Sequence, residues 1–370
     1  MSRNTKRIQE GDKHMKTGLK HITKTFFHRT EDWDSGSADF LKAAKCYKGA
    51  QEWDKCVKAL KKASFCNEQN GTMLSAGKNL QEAANILSKQ CGNQHDATKL
   101  LKKASVFFQE AGNGDTAAKA LTMAAKIIEQ IDTEKALQLY SQSFKIYRLE
   151  DKEYLCVQTY RNAVSLAVKS SHFGVAIKIL NRMITLFENL NQPDPLYKTY
   201  LSFIVIHLYC DEYQKADQKL QQVTKNSPGF VRSIEFEAAN GLLDAFENYS
   251  EEELEKSKKH QALQYIIVEV GRLARKIKLG SEIPLQKKIV ELKLDNKSQE
   301  SNSDFDEDDI DLLIQKNDNK NTSKSSGNKR DLLFALESPK NKKKNSQTEK
   351  TNEKLKSEDS NISEDVDNWL

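Results

Sequence analysis

Residues Asp115–Tyr147 read DTAAKALTMAAKIIEQIDTEKALQLYSQSFKIY. Ala124, Ile127 and Ile128 fall at i, i+3 and i+4 of a first helix, and Ala136, Leu139, Tyr140 and Phe144 continue the same rhythm in a second. Small residues stand where two helices must touch. Asp132 or Thr133 is suited to cap the second helix, because a short side-chain oxygen satisfies an amide in the first turn. One helical hairpin buries only one of its faces, so this segment requires copies of itself on either side.

The copies are in the sequence. Positions equivalent to Ala124 are Ala43, Ala83, Ala124, Ala163 and Phe203, with spacings of 40, 41, 39 and 40. Those equivalent to Ala136 are Cys56, Ala97, Ala136, Ala176 and Ala216, with spacings of 41, 39, 40 and 40. Good helix formers alone would not keep one period in two independent registers. The expected fold is all-α: a right-handed tetratricopeptide-like solenoid of helical hairpins, with a C-terminal helical bundle as cap and a disordered tail. The period is longer than the roughly 34 residues of the strict tetratricopeptide repeat, and the Trp-Leu-Gly-Tyr signature of that repeat is missing.

Composition agrees. The chain has 370 residues, 30% of them charged, with only 5 prolines and 15 glycines. No run alternates apolar and polar residues as an exposed strand would. A net charge of +5 does not by itself point to nucleic acid, and base-stacking aromatics do not alternate with the lysines. Cys46, Cys56, Cys66, Cys91, Cys156 and Cys210 form no C-x-x-C pair, and His95, His172 and His207 lack ligand spacing, so no metal or other cofactor is expected. The cysteines are expected to be small packing residues in a reducing compartment. The N-terminus has no apolar core for a signal peptide. The longest oily run, Phe203–Leu208, is far short of the roughly 20 residues of a spanning helix. A soluble cytoplasmic protein is expected.

Four parts are expected along the chain. Residues 1–36 carry a basic amphipathic helix over Ser2–Lys24, with Ile8, Met15, Leu19 and Ile22 on one side, and then an aromatic loop. In that loop Phe26 and Phe27 stand between Lys24 and Arg29, ahead of Glu31, Asp32 and Asp34. The local sequence fits two roles equally. The rings can enter a membrane interface while the cations meet anionic headgroups, or they can close the first hairpin as a hydrophobic staple. Residues 37–227 hold the repeats, whose polar faces carry Lys58, Lys61, Lys62, Lys99, Lys102, Lys103, Lys119, Lys126, Lys169 and Lys178. Such lysines either attract an acidic, elongated partner or simply keep a face solvated.

Pro228 and Gly229 end the period, and residues 228–295 form the cap, with one stripe through Ile234, Ala238, Leu242 and Phe246 and a later one through Leu263, Ile266, Ile267, Val270, Leu273 and Ile277. Residues 296–370 are rich in Asn, Ser, Lys, Asp and Glu, and too poor in apolar residues to offset the entropy of ordering. Acidic-leucine islands interrupt them at Phe305–Gln315, Asp331–Pro339 and Glu364–Leu370. A lysine run at 340–344 also fits a localisation signal. No phosphate loop, H-E-x-x-H or G-x-S-x-G elbow is present, and the histidines have no partner arrangement, which points to a binding protein and away from an enzyme.

The order of these features resembles the soluble NSF attachment proteins, within them the gamma type. The resemblance is carried by KTFFHRTEDWDSGSADFLKAAKCYKGA, by GNGDTAAKALTMAAKIIEQIDTEKALQLYSQS and by SPGFVRSIEFEAANGLLDAF, and covers residues 10 to 290. It implies a non-enzymatic adaptor that binds assembled SNARE four-helix bundles and recruits the ATPase NSF at the cytoplasmic face of membranes. It also implies that Phe26 and Phe27 attach to the membrane, that Lys119 and, more loosely, Arg161 face the SNARE bundle, and that Asp365, Asp367 and Leu370 contact the ATPase. The long tail departs from the family pattern and offers Asp306–Leu313 as a rival ATPase contact. Two other readings remain at this point: a generic tetratricopeptide-type scaffold for short peptides, and a solenoid enzyme subunit such as that of a prenyltransferase.

Overall fold

A computed structural model of the chain describes residues 2–23 and 30–279. Among them are fourteen α-helices, three short 3-10 turns and no strand. Helix α1 spans Arg3–Ile22. Five hairpins follow: α2 (Trp33–Ala50) with α3 (Trp53–Gln69), α4 (Met73–Lys89) with α5 (Gln94–Glu110), α6 (Gly114–Ile128) with α7 (Thr133–Leu149), α8 (Val157–Lys169) with α9 (Phe173–Asn189), and α10 (Pro193–Tyr209) with α11 (Tyr213–Asn226). Then come α12 (Ile234–Glu247), α13 (Glu251–Ser257) and α14 (Val268–Ala274).

All ten register positions lie in these helices, the first set in α2, α4, α6, α8 and α10 and the second in α3, α5, α7, α9 and α11. Every one is buried; only Phe203 exceeds 0% exposure, at 7%. The spacing is thus a packing rule, since an alanine or cysteine at nine of the ten crossings, all but Phe203, lets neighbouring helices approach closely. First helices meet first helices, as in the Lys48–Glu82 pair at 2.7 Å between α2 and α4. Second helices meet second helices, as in Lys103–Glu68 at 3.0 Å between α5 and α3. The solenoid therefore has two rows.

The turns repeat as well. Gln51, Gly71, Gly92, Gly112, Asp151, Ser171, Asn191 and Asp211 all have left-handed backbones, about one per helix. Past several of these helix ends an amide bonds back five residues, as in Thr72 N to Asn67 O at 2.8 Å and His172 N to Ala167 O at 2.8 Å. This closure satisfies carbonyls that the helix end would leave open. Asp132 caps α7, its carboxylate accepting from the Lys135 amide at 2.9 Å.

The structure corrects three expectations. Helix α1 docks on α2 with Gly11 and Gly18 buried and Met15 and Ile22 packed on the core beside them, whereas Leu19 of the expected stripe is exposed. The rings of Tyr47 and Phe40 occupy the space where side chains of Gly11 and Gly18 would begin. The later C-terminal stripe is not one helix: a 3-10 turn at Gln261–Gln264 precedes α14, yet Leu263, Ile266, Val270, Leu273 and Ile277 are buried as the pattern requires. Of the cysteines, Cys56, Cys66 and Cys156 are buried, whereas Cys46, Cys91 and Cys210 are half-exposed, and all six are free thiols. Burial pushes the Cys56 thiol up to about 11 and the Cys66 thiol to about 12, which keeps both protonated and unreactive at neutral pH. The residues expected to form a disordered tail, 296–370, lie outside the described residues.

Candidate partner-binding surface

The lysines singled out in the sequence do not share one face. Lys119, Lys126 and Lys169 lie on first helices; Lys58, Lys61, Lys62, Lys99, Lys102, Lys103 and Lys178 lie on second helices. Several are also paired. Lys99 sits 3.1 Å from Asp96, Lys103 3.0 Å from Glu68 and Lys169 3.4 Å from Glu269. Helical periodicity places lysines away from the core but does not say which row of the solenoid they join.

Lys119 is exposed on α6 and lies 3.2 Å from Asp115 one turn earlier. The ammonium holds the Asp115 carboxyl below its ordinary value, so this corner offers little net positive charge. Arg161 is exposed on α8, in the same row, and its guanidinium has no ion pair or hydrogen bond among the described residues. The structure thus brings the two predicted SNARE-facing residues to one row of helices but gives them unequal charge. Phe26, Phe27, Asp365, Asp367 and Leu370 lie outside the described residues.

Arg161 borders an open cavity of about 410 Å³ between α8, α10 and residues 265–269. Lys198 of α10 is on its wall, with no ionic partner for its ammonium among the described residues. Tyr265 and Val268 line the opposite side and are 59% and 60% exposed. These residues escaped the sequence reading because the cavity closes over a long sequence separation: Ser165 Oγ donates to Glu269 Oε2 at 2.5 Å. One signal was available, since Tyr265 and Val268 are bulky residues off the buried stripe that contains Ile266 and Val270.

Deeper in the row, Glu153 accepts from Arg182 Nη2 at 2.6 Å and from the Tyr160 hydroxyl at 2.6 Å. This network fixes the 3-10 turn between α7 and α8, and with it the start of the helix that carries Arg161. Among the described residues no group of His, Cys, Asp and Glu is arranged to hold a metal, and no helix is long and apolar enough to cross a membrane.

Two rows of antiparallel hairpins, a partly basic first row and an open cavity define a helical-repeat protein of the solenoid class. The profile of the soluble NSF attachment proteins matches residues 2–261, and the chain belongs to that family. It is 25% identical over 273 residues to a gamma-soluble NSF attachment protein of Dictyostelium discoideum, covering 74% of this chain and 84% of that protein. A gamma-soluble NSF attachment protein of Arabidopsis thaliana is 25% identical over 299 residues, covering 81% of this chain and 98% of its own length.

Proposed function

We propose that the chain is a non-catalytic adaptor that binds assembled SNARE bundles and recruits and stimulates NSF for their disassembly in vesicle-mediated transport. The observation that carries this reading is the family match over residues 2–261, which spans α1, all five hairpins and the start of the C-terminal region. Arg161 and Lys198, two cations of the first row with no ionic partner among the described residues, support it, because a SNARE bundle is acidic and elongated. Lys119 contributes more weakly because of Asp115. Phe26 and Phe27 attach the adaptor to the cytoplasmic face of the membrane, which adds avidity without new protein contacts. The terminal Asp365, Asp367 and Leu370 contact the ATPase.

Reconstitution with NSF and an assembled SNARE bundle tests the reading. Addition of this chain is expected to produce ATP-dependent disassembly; no disassembly, or capture of the bundle that ignores salt, overturns it. Replacing Phe26 and Phe27 by serine should lower disassembly on liposomes and spare it in detergent, and equal loss in both rejects the membrane role. Deleting residues 364–370 should keep SNARE capture and lower ATPase stimulation. The cavity beside Arg161 is the one observation that favours the binding of a short peptide.

A further inference from the structure

The cavity between α8, α10 and residues 265–269 has room for a few side chains and none for a helical bundle. The one carboxylate among its described lining residues, Glu269, is already engaged by the Ser165 hydroxyl at 2.5 Å, by Lys169 at 3.4 Å and by Arg272 at 3.3 Å. Among the described residues Arg161 and Lys198 are therefore left without a counter-charge. Beside them Asn162 spends its carbonyl on Gln158 at 3.0 Å, while its buried Nδ2 has no acceptor among the described residues. A buried donor without a partner costs about 1–3 kcal/mol, so the wall has unused capacity for an acceptor. Opposite stand Tyr265 and Val268, both mostly exposed. Carboxylates beside branched aliphatic side chains fit this combination. A bare anion would neutralise the cations and leave the apolar wall in water.

We infer that the occupant is the chain's own segment Phe305–Gln315, FDEDDIDLLIQ. It carries Asp306, Glu307, Asp308, Asp309 and Asp311 next to Ile310, Leu312, Leu313 and Ile314. The cavity wall lies ten residues before Leu279, and only residues 280–304 separate Leu279 from the segment. A linker of that length reaches up to roughly 80 Å and has a root-mean-square span of about 25–30 Å as a flexible coil. The effective concentration of the segment at the cavity is then on the order of millimolar, which favours it over a peptide in solution. Glu364–Leu370 has similar chemistry on a far longer tether, so its effective concentration is lower. Asp331–Pro339 carries only Asp331 and Glu337. Because Arg161 also belongs to the surface proposed for the SNARE bundle, the docked segment and the bundle exclude one another there. This exclusion rests on the proposed function; the docking does not.

The test uses a fluorescent synthetic peptide of residues 305–315, titrated by anisotropy into the full-length chain and into a full-length variant with D306N, D308N, D309N, L312S and L313S. The variant is expected to bind the peptide at least ~10-fold more tightly than the unmodified chain, because its own segment no longer competes. Adding R161E and K198E to the variant should remove that binding while the helical circular dichroism is retained. V268S provides a second variant that leaves the cations in place, and it should weaken binding as well. Equal affinity for the two full-length chains overturns the assignment and makes the cavity a site for a partner's peptide. Binding that ignores R161E and K198E, or no binding at all, overturns it too. An assembled SNARE bundle should displace the peptide, and failure to do so overturns the exclusion. Absence of ATP-dependent disassembly in the reconstitution would refute the adaptor reading and leave these peptide titrations unaffected.

Discussion

Gly18 illustrates how a single residue decides where α1 rests. A Cβ there would lie 2.8 Å from Phe40 Cε1, closer than side chains tolerate, and the ring is fully buried. Gly49, on the exposed side of α2, has nothing nearer than 3.5 Å. Alanine gains up to about 1 kcal/mol over glycine inside a helix and less near its end, while overpacking a core costs about 1–3 kcal/mol. Gly18→Ala should therefore destabilise the chain and Gly49→Ala should stabilise it by about 0.5 kcal/mol, as read by urea unfolding; the same sign for both would refute the steric account. His207 sets a second residue-scale expectation. Its ring is buried against Phe203, Nδ1 lies 2.6 Å from Glu212, and Nε2 has no partner among the described residues. Burial, helped by Lys215 and Lys219, outweighs Glu212 and lowers the imidazole below its ordinary 6.5. Burial opposes ionisation of Glu212, yet hydrogen bonds from Lys215 and His207 hold its carboxyl below the ordinary 4.5, so it stays charged in the same window. The unfolded chain then takes up the histidine proton first, and stability is complete above about pH 6.5 and declines as pH falls. The urea midpoint should drop between pH 7 and pH 5.5, and His207→Gln should flatten that drop.

At the scale of the element, the turns hold what the sequence concealed. The helix pairs were legible because ten crossings need small or buried residues and the chain repeats them on schedule. The turns keep a schedule of their own, but only Gly71, Gly92 and Gly112 announce it; Gln51, Asp151, Ser171, Asn191 and Asp211 take the same left-handed backbone without being glycine. A left-handed residue with a Cβ costs about 1–2 kcal/mol, while glycine gives back about 0.5–1 kcal/mol through the greater freedom of the unfolded chain. Ser171→Gly, at φ 60, is accordingly expected to stabilise the protein by about 0.5 kcal/mol and to raise its urea midpoint. A fall would mean that the hydroxyl matters more than the backbone strain. The docking face of α1 was legible through Met15 and Ile22, which pack on the core, but not through Leu19, which is exposed. Amphipathicity scores side chains, and this interface also uses their absence at Gly11 and Gly18.

Over the whole molecule, periodicity reveals what stacks but not what faces a partner. The repeat, the five hairpins and the general burial pattern follow from spacings of about 40 residues. The lysines divide between two rows that share one helical periodicity, and the cavity joins α8 to a segment a hundred residues on, with Tyr265 and Val268 off the buried stripe as its one local trace. Charge accounting within the first row then yields a prediction that separates the two sequence-derived candidates. Lys119 lies 3.2 Å from Asp115, whereas Arg161 has no carboxylate partner among the described residues. Lys119→Glu should weaken capture of an acidic SNARE bundle less than Arg161→Glu does. Asp115→Asn should strengthen capture, since it frees the ammonium. The gain is bounded by the worth of an exposed ion pair, about 0.2–1 kcal/mol, and so amounts to roughly 1.4- to 5-fold. It should fade at 0.5 M salt, where the screening length falls to about 4 Å. Asp115 also stands in the first turn of α6, where a carboxylate favours the helix end by about 0.3–1 kcal/mol, so a thermal melt of Asp115→Asn is needed beside the binding curve. Weaker capture by a variant that melts normally would show that Asp115 belongs to the recognised surface and does not merely shield Lys119.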